Sequence, residues 1–198
     1  MAVDRLANFL NGFVEAIETC RDKQLVTPTL VLIYTAIDIL GSLVSSEAQK
    51  DFELKKAQGI EQGKFGTRHS FCFWVDSYME PQKYFGDECR SIEIYGARCG
   101  LLHELRLESD MSRNKGARII AYASGIAKVE DLKKAIALEK KDYIAVHVDQ
   151  LINVFKNGVS RFLSDENIIH IIGKKSDNFV ANLSPEIMAQ FLDGQERI

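Results

Sequence analysis

Apolar residues recur at helical spacing through the first half of the chain. Leu6, Phe9, Leu10, Phe13, Val14 and Ile17 mark one face of a helix predicted from Val3 to about Lys23. Thr27 followed by Pro28 supplies a capping residue and a proline at the first helical position. The helix starting there, to about Ser45, is apolar nearly all round and carries Asp38 as its one charge. Such a helix belongs in the centre of a core, and a carboxylate within it needs a partner. Residues 46–69 turn polar, with Lys50, Lys55, Lys56, Gly59, Gly63, Lys64 and Gly66, and read as a broken helix and a connection. Phe71, Phe73, Trp74, Val75 and Tyr78 then make a short aromatic helix stopped by Pro81, and that stripe reads as core.

A further helix is predicted from about Asp87, as N-cap, to Leu107. The run 117–123 is β-prone and closes at Ser124-Gly125, and 167–172 is a second such run. Between them, residues 141–163 read as one long helix whose Ile144, Val148, Leu151, Phe155, Gly158 and Phe162 form a stripe. Gly158 within that stripe predicts a close helix contact. Ser184-Pro185-Glu186 starts a short tail helix with Ile187, Met188, Phe191 and Leu192 as its apolar contacts. The expected fold class is mainly α: an antiparallel helical bundle with a small β-hairpin or two short strands in the C-terminal half. One helical domain is expected over 1–198, with 46–69 as a polar connection and 164–198 as an appendage of strand and short helix.

Composition narrows the function. A chain of 198 residues that is 46% hydrophobic can bury a proper core. No stretch reaches 18 uninterrupted apolar residues, and Met1-Ala-Val-Asp-Arg lacks a basic n-region leading into an apolar core. The expected location is therefore the cytoplasm, without a membrane partner. Cys20, Cys72, Cys89 and Cys99 show no CxxC spacing and read as reduced thiols. His69 and Cys72 lack a second ligand pair, so neither a metal nor another cofactor is expected. A net charge of −3 argues against holding long nucleic acid by bulk electrostatics. It leaves room for local clusters. Arg106, Arg113, Lys115 and Arg118, interleaved with Glu104, Glu108 and Asp110, form either a solvated loop of mixed charge or a phosphate-positioning rim beside His103. His147 reads as semi-buried, and His170 has no identifiable partner.

The run Tyr95-Gly96-Ala97-Arg98-Cys99-Gly100-Leu101-Leu102-His103-Glu104 carries the chemistry. Ile94, Tyr95, Leu101, Leu102 and Leu105 share a helix face with Arg98 in their middle, so the guanidinium must be paired. Asp38 on the neighbouring apolar helix is the first candidate, and Asp76 the second. Five residues rotate an α-helix by about 140°, which separates Arg98 from His103. Either the helix ends near His103 or the pair works across an interface.

This string resembles the R-x4–6-H motif of the HEPN family of small helical domains. The resemblance implies a homodimer in which facing motifs build a composite site, and a metal-independent ribonuclease acting on RNA. Arg98 would hold the scissile phosphate and stabilise transition-state charge. His103 would exchange protons with the ribose 2′-OH or the leaving oxygen, a task suited to an imidazole whose ordinary pKa is about 6.5. Asp38, Cys99 and Glu104 are the candidate supporting residues. Two functions follow. One is an endoribonuclease of a toxin or defence system, with an antitoxin or other protein partner. The other is a non-catalytic dimeric scaffold whose Arg98 pocket holds a nucleotide, an acidic partner or only Asp38. Cys99, where many HEPN ribonucleases carry a polar residue, favours the scaffold; the Arg98–His103 spacing favours the enzyme.

Overall fold

The computed structural model describes residues 2–138, 142–168 and 171. It is mainly helical, with two short parallel strands. Helix α1 (Ala2–Asp22) packs along α2 (Val26–Leu43), and α3 (Ser45–Ala57) follows after a single residue. Helix α4 (Thr67–Trp74) widens into a π-helical turn at Val75–Met79, and α5 (Pro81–Phe85) leads to α6 (Ser91–Cys99). Helix α6 also ends in a π-helical turn, Gly100–Glu104, followed by the short α7 (Asp110–Arg113). The remaining elements are β1 (Ile119–Ala123), α8 (Val129–Ile136), β2 (Tyr143–His147) and α9 (Val148–Leu163).

Helix α2 is the central element that its composition predicts. Leu30, Ile33, Tyr34, Ala36, Ile37 and Leu40 are all buried in the core. Among the described residues α2 is the one helix long and apolar enough to cross a membrane, and half of it is covered by the fold, as in a core helix. Its contact with α4 is backbone-close, because a Cβ at Gly41 would stand 3.0 Å from the Ser70 carbonyl oxygen. Trp74 on α4 packs between Phe155 and Phe162 of α9, with ring centroids at 6.3 and 6.1 Å. Gly158 makes the predicted close contact there. A Cβ on it would meet Met79 Cγ at 3.1 Å and the Tyr78 carbonyl oxygen at 3.2 Å.

The strands correct the expected hairpin. β1 and β2 run parallel, in register from Ile119 opposite Tyr143 to Ala123 opposite His147. Parallel pairing needs a crossover of a dozen or more residues, and α8 lies within the one found here. Both faces of the pair are largely buried, as parallel strands require. β2 occupies the first part of the segment read as a long helix. The spacing of Ile144 and Val148 suits a helical stripe, whereas Ile144, Ala145 and Val146 are a buried strand run, and periodicity alone does not separate the two in so short a window. The switch to helix falls at His147, whose Nδ1 accepts the Asp149 N–H at 3.2 Å as the N-cap of α9.

The second β-prone run is not a strand where it is described. Asn167, Ile168 and Ile171 are helical, and Ile168 packs into the core. Ile169, His170, Ile172 and the predicted tail helix at 184–192 lie outside the described residues. The first half of the polar stretch 46–69 is the helix α3, built from good helix formers and anchored by buried Ala48 and Phe52. Only residues 58–66 connect it to α4.

Candidate functional site

Helix α6 starts later than the sequence suggests. Its N-cap is Arg90 rather than Asp87, and the Arg90 N–H donates to Glu93 Oε2 at 2.9 Å while Nη2 donates to Oε1 at 2.9 Å. Glu93 is fully buried, so these bonds satisfy a carboxylate that would otherwise be orphaned. Asp76 helps at the same end, accepting from Ser91 Oγ at 2.9 Å. It is therefore not the partner of Arg98.

That partner is Asp38. From the last turn of α6, Arg98 donates through Nε at 2.7 Å and Nη2 at 2.6 Å to the same oxygen, Asp38 Oδ2, on α2. Both side chains are mostly buried, 15% and 19% exposed. The guanidinium also lies 5.9 Å from the Tyr95 ring centroid, and that ring meets Phe71 edge-on at 5.3 Å. Desolvation works against the charge on Arg98, but the bond to Asp38 and its negative charge outweigh it and raise the Arg98 pKa. Burial, together with Cys99, pushes the Tyr95 hydroxyl up to about 12. Asp38 Oδ1 is buried with no hydrogen-bond partner, and leaving such an atom unpaired costs about 1–3 kcal/mol.

Arg98 and His103 meet within one chain. Nη1 of Arg98 lies 2.8 Å from Nε2 of His103, and 3.9 Å from Cys99 Sγ. The π-helical turn explains this contact. Its i→i+5 bonding is wider than the α-helical turn, so residues five apart come into line instead of diverging. The turn is closed by Leu105 at φ 51°, and the Arg106 N–H returns to the Gly100 carbonyl oxygen at 3.1 Å. Gly100 permits the fold-back. A Cβ there would stand 2.8 Å from the carbonyl oxygens of both Arg106 and Glu108. Gly100 inside a helical pattern is the trace of this feature in the sequence, and the reading of 87–107 as one helix passes over it. His103 itself is exposed, and the Glu104 side chain is not among those described.

Arg113, Lys115 and Arg118 of the basic run share one cleft. Arg113 pairs with Asp110 at 2.6 Å, and Arg118 pairs with Glu88 at 2.6 Å and with Asp142 at 2.8 Å. With Lys115, Arg90 and Glu93 they line a cleft of about 570 Å³ to which Asp38, Arg98 and His103 do not contribute. Arg106 is exposed on the loop that folds over Gly100 and is not part of that cleft. Among the described residues no three His, Cys, Asp or Glu side chains are grouped to hold a metal ion. His69 is a cap, its Nδ1 accepting the Gly66 N–H at 2.9 Å. Burial pushes the Cys72 thiol up to about 12.

Against known proteins, the chain matches no family model, no curated protein and no solved structure.

What this arrangement offers chemically is a fixed cation next to an exposed imidazole. Arg98 is held from behind by Asp38 and from below by Tyr95, and its Nη1 edge faces His103.

Proposed function

We propose that the protein is a HEPN-like, metal-independent endoribonuclease with the fold of an antiparallel helical bundle, acting in the cytoplasm as part of a toxin or defence system. The observation that carries this reading is the 2.8 Å contact between Arg98 Nη1 and His103 Nε2. A phosphate-binding cation and a proton-transfer group then act on one phosphodiester. His103 removes the proton of the ribose 2′-OH, and O2′ attacks phosphorus. The P–O5′ bond breaks, and the leaving oxygen takes a proton from water or from the imidazolium of a second copy's His103. Arg98 stabilises the charge on the non-bridging oxygens. The products are a 2′,3′-cyclic phosphate and a 5′-hydroxyl.

The working unit in this proposal is a homodimer. Leu105 and Leu107, directly after His103, are 75% and 49% exposed, which supports an apolar partner surface beside the site. The second reading, a scaffold without catalysis, is favoured by the Asp38 ion pair, which already satisfies Arg98 Nε and one Nη2 hydrogen. Purified protein incubated with a varied single-stranded RNA pool in EDTA separates the two. Cleavage with cyclic-phosphate ends supports the enzyme, and intact RNA supports the scaffold. Sedimentation at micromolar concentration should give twice the chain mass, and a strict monomer removes the composite-site version.

A further inference from the structure

We infer that Arg98 holds His103 as the Nδ1–H tautomer and masks its Nε2 lone pair until a phosphodiester draws Nη1 away. This rests on the ribonuclease reading for its purpose but not for its geometry. Arginine only donates hydrogen bonds, so a 2.8 Å contact from Nη1 requires Nε2 to be the acceptor. The ring is then neutral, with its proton on Nδ1. That is the reverse of the tautomer free histidine prefers, so the protein must impose it.

The guanidinium is the rigid member of the pair. Nε and Nη2 are fastened to Asp38 Oδ2, and Cζ stands over the Tyr95 ring, 5.9 Å from its centroid. His103 is the movable member, exposed on a π-helical turn closed by a left-handed residue, Leu105. Of the five N–H groups on Arg98, two face Asp38, and the two on Nη1 face His103 and Cys99 Sγ, leaving one on Nη2. A phosphodiester binding as a fork to the two terminal nitrogens competes with His103 for Nη1. When it wins, Nε2 regains its lone pair next to the bound substrate, where a general base is required. The base is thus exposed by the substrate it acts on.

The test reads the ring directly. Full-length protein with 15N-labelled histidine is examined by long-range 1H–15N correlation at a pH where the ring is neutral, with His103 assigned by its loss in His103→Gln. The expected pattern is a protonated Nδ1 and an unprotonated Nε2. A 2′-deoxy dinucleotide, a phosphodiester without the attacking hydroxyl, should shift both nitrogens away from that pattern as it is titrated. An Nε2–H tautomer in the free protein overturns the inference. An unchanged pattern up to the solubility limit of the dinucleotide overturns the unmasking step. If RNA is cut while His103 carries its proton on Nε2, the mask is wrong and the ribonuclease stands. If RNA is never cut but the expected tautomer responds to the dinucleotide, the mask stands and the ribonuclease falls.

Discussion

Arg98 and His103 stand five residues apart and are nevertheless in hydrogen-bond contact, because the helix between them opens into a π-helical turn. In a continuous α-helix the same residues diverge by about 140°. A change of helix type lets one chain bring together a guanidinium rooted in the core and an imidazole in solvent.

The root of that contact is Asp38, which predicts an asymmetric stability effect. Removing one member of a buried ion pair typically costs about 3–5 kcal/mol, because the other charge is left without compensation. Asp51 is also paired, to Lys55 at 2.7 Å, but the pair is exposed and spans one helical turn; such pairs contribute about 0.3–0.5 kcal/mol. Asp38→Ala should therefore lower the denaturant midpoint several times more than Asp51→Ala. Equal midpoints with unchanged slopes would show that Asp38 does not carry Arg98.

Gly100 leads to a second prediction. Any side chain there meets two backbone carbonyl oxygens at 2.8 Å, and backbone cannot rotate aside as a flexible side chain can. Overpacking of this kind typically costs about 1–3 kcal/mol, and relief requires the 105–108 loop to move. Gly100→Ala should lower stability within that range and separate His103 from Arg98. Gly12→Ala is the control, since nothing lies within 4 Å of a Cβ at that exposed helical position. If Gly100→Ala melts like the Gly12→Ala protein, the fold-back is not held at Gly100.

How much of this was legible in the sequence depended on the period of each element. Helix α1, the buried α2 and the Gly158 contact follow from 3.6-residue spacing, and the Asp38–Arg98 pair follows from asking what an apolar helix does with a charge. The π-helical turn escaped because its period differs from the one used to place residues on a face. β2 escaped because Ile144 and Val148 satisfy a helical stripe as well as a strand end. Glu93 was missed altogether, although a carboxylate three residues after Arg90 at a helix start matches half of a capping box. The placement of the basic run was hidden for another reason. Charge proximity in sequence says little about direction, and the structure turns Arg113, Lys115 and Arg118 toward their own cleft and acidic neighbours.

Asp76 links pH to stability. Desolvation raises its pKa above the ordinary carboxylate value, against the lowering by its bond from Ser91. The folded state therefore holds this proton more tightly than the unfolded chain does. Stability from this group is then lost as pH rises from about the ordinary carboxylate value through the raised one. Asp76→Asn keeps an acceptor for Ser91 and removes the titration. Across that acidic window the wild-type midpoint should fall relative to Asp76→Asn. Parallel profiles would mean that hydrogen bonding to Ser91 offsets the desolvation.

The last prediction concerns His103 as a proton-transfer group. General acid–base catalysis by a positioned side chain contributes about 10²–10⁴-fold, so His103→Ala should lose RNA cleavage by at least the lower figure. The side chain is exposed and bonds to Arg98 at the surface of the turn, so the denaturant midpoint should scarcely change. Loss of activity at unchanged stability separates His103 from Arg98, whose removal also breaks the buried pair with Asp38. DNA should remain uncut by either protein because it lacks the 2′-OH. Expression of the wild-type protein should slow growth, and His103→Ala should relieve it. Equal cleavage rates for the two proteins would place the chemistry elsewhere, and equal inertness on RNA with no effect of either on growth would leave Arg98 as a buried pair that fixes α6 against α2.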